Sequence, residues 1–160
     1  MVDEVIEKRQ NTEQQYLTFM MGNDEYGVDI LSVQEIHCWV EPRPMPNTPD
    51  YIRGVIDWRG TIVPIIDLRV RFQYPNATYT NTTVVIILKT KLSDEQEGII
   101  GIVVDAVADV YDVKAVDLKK SPNLGNKIDT KFIKGMTKIE ESMIIVLELS
   151  KLIDLDELTN

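Results

Sequence analysis

Tyr51-Ile-Arg-Gly-Val-Ile-Asp-Trp-Arg-Gly-Thr-Ile-Val-Pro-Ile-Ile-Asp-Leu68 aligns without a gap on Phe132-Ile-Lys-Gly-Met-Thr-Lys-Ile-Glu-Glu-Ser-Met-Ile-Ile-Val-Leu-Glu-Leu149, 81 residues further along the chain. Each copy opens with an aromatic, an Ile, a base and a Gly, and each closes on an apolar run followed by an acid and a Leu. A second echo precedes it. Tyr26-Gly-Val-Asp-Ile-Leu-Ser-Val-Gln-Glu-Ile36 matches Ile100-Gly-Ile-Val-Val-Asp-Ala-Val-Ala-Asp-Val110, with Gly27 on Gly101, Val33 on Val107 and Glu35 on Asp109. Repeats this long are duplicated subdomains, whereas solenoid units run to roughly 20 to 50 residues. The chain is therefore predicted to form two similar lobes, about 15–82 and 83–150, behind a flexible tail at 1–14. A seam between lobes is a natural place for a ligand or partner.

Within each copy the pattern is that of β structure. Gln15 to Met21 is an apolar run ended by the turn Gly22-Asn-Asp and followed by Glu25 to Asp29. Ile30 to Ile36 fits a helical turn or a strand equally well. Glu41 to Pro49 holds four prolines, so it can be neither helix nor central strand and is expected to run extended along an edge. Gly54 to Leu68 reads as strand, turn at Trp58-Arg-Gly60, strand; Pro64 inside the second strand implies a bulge or an edge. Short helices are expected near Leu68 to Phe72 and, amphipathic, at the C-terminus over 150–158. Ser121-Pro-Asn-Leu-Gly125 reads as a turn. The fold class is mainly β: two small barrels with short helices.

Composition narrows function. The 160 residues are 44% hydrophobic and 27% charged, the profile of an ordinary globular protein. No apolar run approaches the roughly 18 residues of a membrane span, and no basic start leads into an apolar stretch, so a cytoplasmic location without membrane insertion is expected. The net charge of −9 argues against a nucleic-acid partner. Charge is also uneven. Arg43, Arg53, Arg59, Arg69 and Arg71 face only Asp50, Asp57 and Asp67 across that stretch, a local +2 that leaves −11 elsewhere. No lysine falls between Gln10 and Leu88, and arginine without lysine suits contact with another protein.

Catalytic equipment is missing from the pattern. His37 and Cys38 are the sole His and Cys; adjacent on a strand, they would point to opposite faces and could not act together. Cys38 is expected to be an inert packing residue, and with one cysteine there is no internal disulfide and no zinc site of His and Cys alone. No Gly-x-Ser-x-Gly, phosphate loop or dinucleotide fingerprint occurs. Asp29, Asp67 and Asp105 sit at strand ends, where a solvated or capping role is the usual one. Trp58 and Arg59 at a tight turn are instead binding equipment, both able to project, and Trp and Arg dominate interface energetics. No cofactor is expected.

Glu25 to Ile36, Asn47-Thr-Pro49, Gly54-Val55, Arg59-Gly-Thr-Ile-Val-Pro-Ile-Ile-Asp-Leu-Arg69 and Gly101-Ile-Val-Val-Asp105 resemble the signature segments of the CheW family of chemotaxis coupling proteins, over about residues 15 to 155. The resemblance implies two SH3-like five-stranded β-barrels forming a single CheW-like domain at 15–160, and no enzymatic activity. It also implies a cytoplasmic adaptor that couples the hairpin tips of chemoreceptors to the regulatory domain of the histidine kinase CheA, and to further CheW copies, in membrane-associated arrays. Carried over by motif, the receptor-facing residues are Val33, Glu35, Arg59, Val107 and Val110, with Glu35 paired to Arg59. The kinase-facing residues are Arg43, Met45, Ile52 and Gly54. Asp57-Trp58 stands where the family commonly has Asn-Leu. On this reading a receptor helix lies in an apolar groove between the lobes; the rival is a ligand-binding protein or enzyme that uses the seam as a pocket.

Overall fold

The computed structural model describes residues 13–120 and 128–154. Ten strands account for most of them: β1 (Glu13–Met21), β2 (Asp24–Asp29), β3 (Val33–Cys38), β4 (Ile52–Trp58), β5 (Thr61–Asp67), β6 (Val84–Lys91), β7 (Glu97–Val104), β8 (Ala106–Lys114), β9 (Ile133–Ile139) and β10 (Ser142–Leu147). One α-helical turn, α1 (Leu68–Arg71), follows β5, and Asp67 caps it by accepting from the Arg69 N–H. The ambiguous stretch 30–36 is both things it resembled, a 3-10 turn at Ile30–Ser32 running into β3.

The strands form two five-stranded sheets, ordered β8-β1-β2-β10-β9 and β3-β6-β7-β5-β4. Every pairing is antiparallel except β2 with β10 and β5 with β7, which occupy the same place in the two sheets. The duplication is therefore real in space: β1 to β5 correspond in order to β6 to β10. The lobe boundary at 82/83 does not carry over. Each sheet takes its antiparallel pair (β1 and β2, or β6 and β7) from one repeat and its remaining three strands from the other, because the chain changes sheets at Ile30–Ser32 and again at Asp105. Both crossings are pinned. Asp29 accepts from the Leu31 N–H, while Asp105 accepts from the Gly22 N–H through Oδ2 and donates its own N–H to the Met20 carbonyl.

Hydrophobic burial follows the ladder. Ile36, Ile86, Ile102, Ile66 and Ile52 stand opposite one another in turn across all five strands of the second sheet. Val110, Leu17 and Val28 start the matching row in the first. The principal core joins the two sheets, with Phe19, Tyr26, Leu68, Phe72, Ile86 and Ile102 among its members. The interior of the seam is thus filled by the protein's own side chains, and among the described residues the expected apolar groove does not run through it, which leaves a partner the rim. Two smaller cores lie on the far faces, one built on Val63, Ile65, Val85, Ile87 and Val103, the other on Tyr16, Val113, Ile144 and Val146.

Neither sheet closes by a ladder between its end strands; each gap is bridged by a strap. The proline segment docks on β4 through two hydrogen bonds between Arg43 and Val55, each 2.9 Å, as its composition predicts for an extended edge segment. The repeat reproduces this: Lys119 pairs with Met136 on β9. Pro64 is not on an edge, since β5 lies between β7 and β4, but the β7 ladder begins only at Ile65, so the missing N–H falls outside it. At the other end the chain makes a 3-10 turn at Leu149–Lys151, with Leu149, Leu152 and Ile153 buried; an amphipathic helix over 150–158 is not formed as far as Asp154, and 155–158 lie outside the described residues, as do the turn at 121–125 and the tail at 1–12. Residues 13 and 14, assigned to the tail, begin β1 opposite Lys114 and Val113.

Candidate partner-binding site

β3 is an edge strand because its free side faces no ladder, and its alternation puts Glu35 and His37 on one side and Gln34, Ile36 and Cys38 on the other. β4 is the opposite edge of the same sheet and ends at Trp58. The sheet curls far enough to bring these edges together. The Trp58 indole N–H donates to Glu35 Oε2 at 2.6 Å, and Arg59 Nη2 donates to Glu35 Oε1 at 3.2 Å. His37 Nε2 also contacts the Glu35 carboxylate. Both carboxylate oxygens are therefore engaged, and the carboxyl is held below its ordinary range, chiefly by the Trp58 hydrogen bond and then by His37 and Arg59, against the opposing effect of desolvation.

The turn that presents Arg59 is tightly specified. Arg59 and Gly60 have φ of 51° and 82°, the left-handed pair that a two-residue hairpin needs, and Asp57 Oδ1 accepts from the Gly60 N–H at 2.9 Å. Arg59 lies over the Trp58 ring, its Cζ 5.0 Å from the centroid, with 69% of its side chain exposed. Trp58 does not project as expected. It packs on the small core of its sheet, leaving Arg59 alone to face outward. Beneath the pair lies a cavity of about 360 Å³, lined by Glu35, His37, Cys38, Val40, Ile56 and Trp58.

The remaining expected residues separate into surface and support. Val33 and Val107 are half-buried against the principal core, and Val110 is 43% exposed on β8, the edge of the other sheet. The structure brings only Glu35 and Arg59 into contact. Among the kinase-facing set, Arg43 is exposed and Met45 half-buried on the strap, but Ile52 and Gly54 are buried and cannot themselves meet a partner. Ile52 ends the isoleucine row. Gly54, at φ 141°, lies so close under the strap that a Cβ there would stand 2.1 Å from the Arg43 carbonyl oxygen.

The arginines also divide. Arg69 is buried and structural: Nε and Nη2 each donate to Asp67 at 3.0 Å, and Nη1 donates to the Thr78 carbonyl and to Asp105. Arg71 stacks on Tyr51 at 3.9 Å and Phe132 at 4.9 Å. Cys38 is exposed at the end of β3, not an inert core residue, because it lies on the outer side of an edge strand. Two features went unread in the sequence. Ile36 is 44% exposed and is the repeat counterpart of Val110, a match the second echo already contains. The Trp58 to Glu35 link had no sequence signal, since a turn residue and a strand residue 23 positions apart meet only when the sheet curls.

Among the described residues no group of three or more His, Cys, Asp or Glu is placed to hold a metal, and no helix is long and apolar enough to cross a membrane. The profile of the CheW-like domain family matches residues 15–157. The chain is 40% identical over 145 residues to the chemotaxis protein CheW of Klebsiella aerogenes, covering 91% of this chain and 84% of that one. It is 32% identical over 147 residues to the chemotaxis protein CheW of Rhizobium meliloti, covering 92% of each. The crystal structure of the scaffolding protein TtCheW from Thermoanaerobacter tengcongensis superposes with a TM-score of 0.79 at 30% identity, covering 91% of both chains. Family profile, relatives and architecture agree, and the chain belongs to the CheW-like domain family.

Proposed function

We propose that this chain is a non-enzymatic adaptor that couples chemoreceptors to the histidine kinase CheA in a chemosensory array. The observation that carries the reading is the Glu35 and Arg59 pair, held on the edge of the second sheet with Arg59 turned outward, in a chain of the CheW-like family. A receptor hairpin tip docks along the rim of the seam, where Ile36 and Val110 are exposed in equivalent places and Val33 and Val107 lie beside the shared core. The kinase, and further copies of the chain, engage the strap through Arg43 and Met45, while Ile52 and Gly54 support that strap from below. Adaptors of this kind need no reactive group; two packings of receptor on adaptor suffice to bias a kinase equilibrium.

In a pull-down with a chemoreceptor cytoplasmic fragment, Arg59→Ala is expected to lose binding while melting within a few degrees of the parent, since an exposed ion pair contributes about 0 to 1 kcal/mol to folding. Undiminished capture by Arg59→Ala removes the receptor assignment. The rival, a ligand held in the seam, is confined to hollows at its rim, since the principal core fills the interior; one hollow of about 450 Å³ is lined by Asp29, Leu31, Lys89, Glu97, Val146 and Leu147.

A further inference from the structure

The duplication supplies an internal control for the site. Glu35 corresponds to Asp109 and Trp58 to Ile139, yet only the first pair is joined. Ile139 has no side-chain donor, and Asp109 instead accepts from the Val110 N–H at 2.8 Å, while its own N–H is taken by the Thr18 hydroxyl at 3.1 Å. The gap between edge strands in the first sheet is closed by apolar packing of Tyr111 and Ile139 on a common core. In the second it is closed by a polar bolt across β3 and β4, and that bolt fixes where Arg59 points. Without it Glu35 would keep only the long, solvent-facing contact with Arg59 and the contact with His37.

We infer that Trp58 is a positioning residue for partner recognition: its indole N–H anchors the Glu35 carboxylate across the sheet gap, and its ring carries the Arg59 guanidinium, so that Arg59 is presented as a preset cation to a carboxylate on the docking helix. This rests on the receptor reading above for the identity of the partner, but not for the bolt itself. Glu35 is a support and Arg59 the contact. Of the five N–H donors of Arg59 only one, on Nη2, is spent on Glu35, which leaves a fork able to grip a partner's carboxylate. Fixing that fork before binding removes part of the ordering cost of association.

The test separates bolt from partner. The chain has two tryptophans, so its proton NMR spectrum has two indole N–H resonances, and Trp58→Phe identifies one by its loss. That resonance is expected to move upfield in Glu35→Gln, which replaces a charged acceptor by a neutral one. An unmoved resonance overturns the proposal whatever the receptor does. Against a chemoreceptor fragment, Trp58→Phe keeps a ring beneath Arg59 and is expected to weaken binding about three- to tenfold, the size of one lost hydrogen bond. In a Glu35→Ala background, which leaves the indole no acceptor, the same change is expected to cost almost nothing, the non-additivity that marks action through Glu35. Equal cost in both backgrounds overturns the proposal. Should the unaltered chain fail to bind the fragment, the receptor reading falls, and the indole resonance alone decides the bolt.

Discussion

Asp67 and Arg69 show how much of this molecule rests on single charged groups away from the site. Their side chains are 0% and 3% exposed, and the pair also ties in Tyr79, the Thr78 carbonyl and Asp105. Arg69→Leu strands a buried carboxylate and is expected to cost roughly 3 to 5 kcal/mol in urea unfolding, while Asp67→Leu with Arg69→Leu together costs less than the single change. Tyr26 makes a second test. Its phenol is pushed up to about 12, first by burial and also by Asp24, with the Tyr74 hydrogen bond opposing. The fold favours the neutral form, so the stability this gives is complete below the ordinary pKa of 10 and lost as pH rises toward 12. Unfolding free energy is expected to hold level to about pH 9 and decline from about pH 10, with a shallower decline in Tyr26→Phe.

At the scale of elements, what could be read was local and what could not was contact at a distance. The hairpin of β4 and β5 was legible because a Trp-Arg-Gly turn between apolar runs admits little else, and the extended strap because proline excludes the alternatives. For Asp29 and Asp67 the place at a strand end left a solvated or a capping role open; both cap the turn that follows, and Asp67 is fully buried. Ile52 was not legible as core: a half-apolar strand with a bulge between Ile52 and Gly54 has no fixed inward face until β5 is laid beside it. Gly54 looked like a contact residue and is a clearance under the strap. Two glycines with positive φ separate these roles. Gly54→Ala meets both the Arg43 backbone and an unfavourable dihedral, and is expected to cost at least about 2 kcal/mol in thermal or chemical unfolding. Gly60→Ala, at φ 82° with nothing within 4 Å of the added methyl, is expected to cost about 1 kcal/mol.

For the whole molecule the duplication was legible and the exchange of strands between repeats was not. Two echoes at different offsets establish that parts recur, but the choice of which copy of a strand pairs with which hairpin is made at the crossings, Ile30–Ser32 and Asp105, which are too short to look different for either outcome. The site shares this limit in part: the family resemblance implied the pairing of Glu35 with Arg59, while the Trp58 link to Glu35, which depends on the curl of a sheet assembled from both repeats, was not readable. A division at 82/83 therefore cuts both sheets. Fragments 1–82 and 83–160 are each expected to show little β signal in circular dichroism and to recover it when mixed, since each sheet draws strands from both. A stable fold in either fragment alone contradicts the exchange.

One sheet, β3 to β7, is a single unbroken stretch of chain, while the other is made of what comes before and after it. A ribosome that emits residues at about 5 to 20 per second must therefore complete the second sheet first. The hairpin of β1 and β2, which leaves the exit tunnel ahead of that sheet, waits with Tyr16 uncovered until Val113, Ile144 and Val146 arrive on the later strands to receive it.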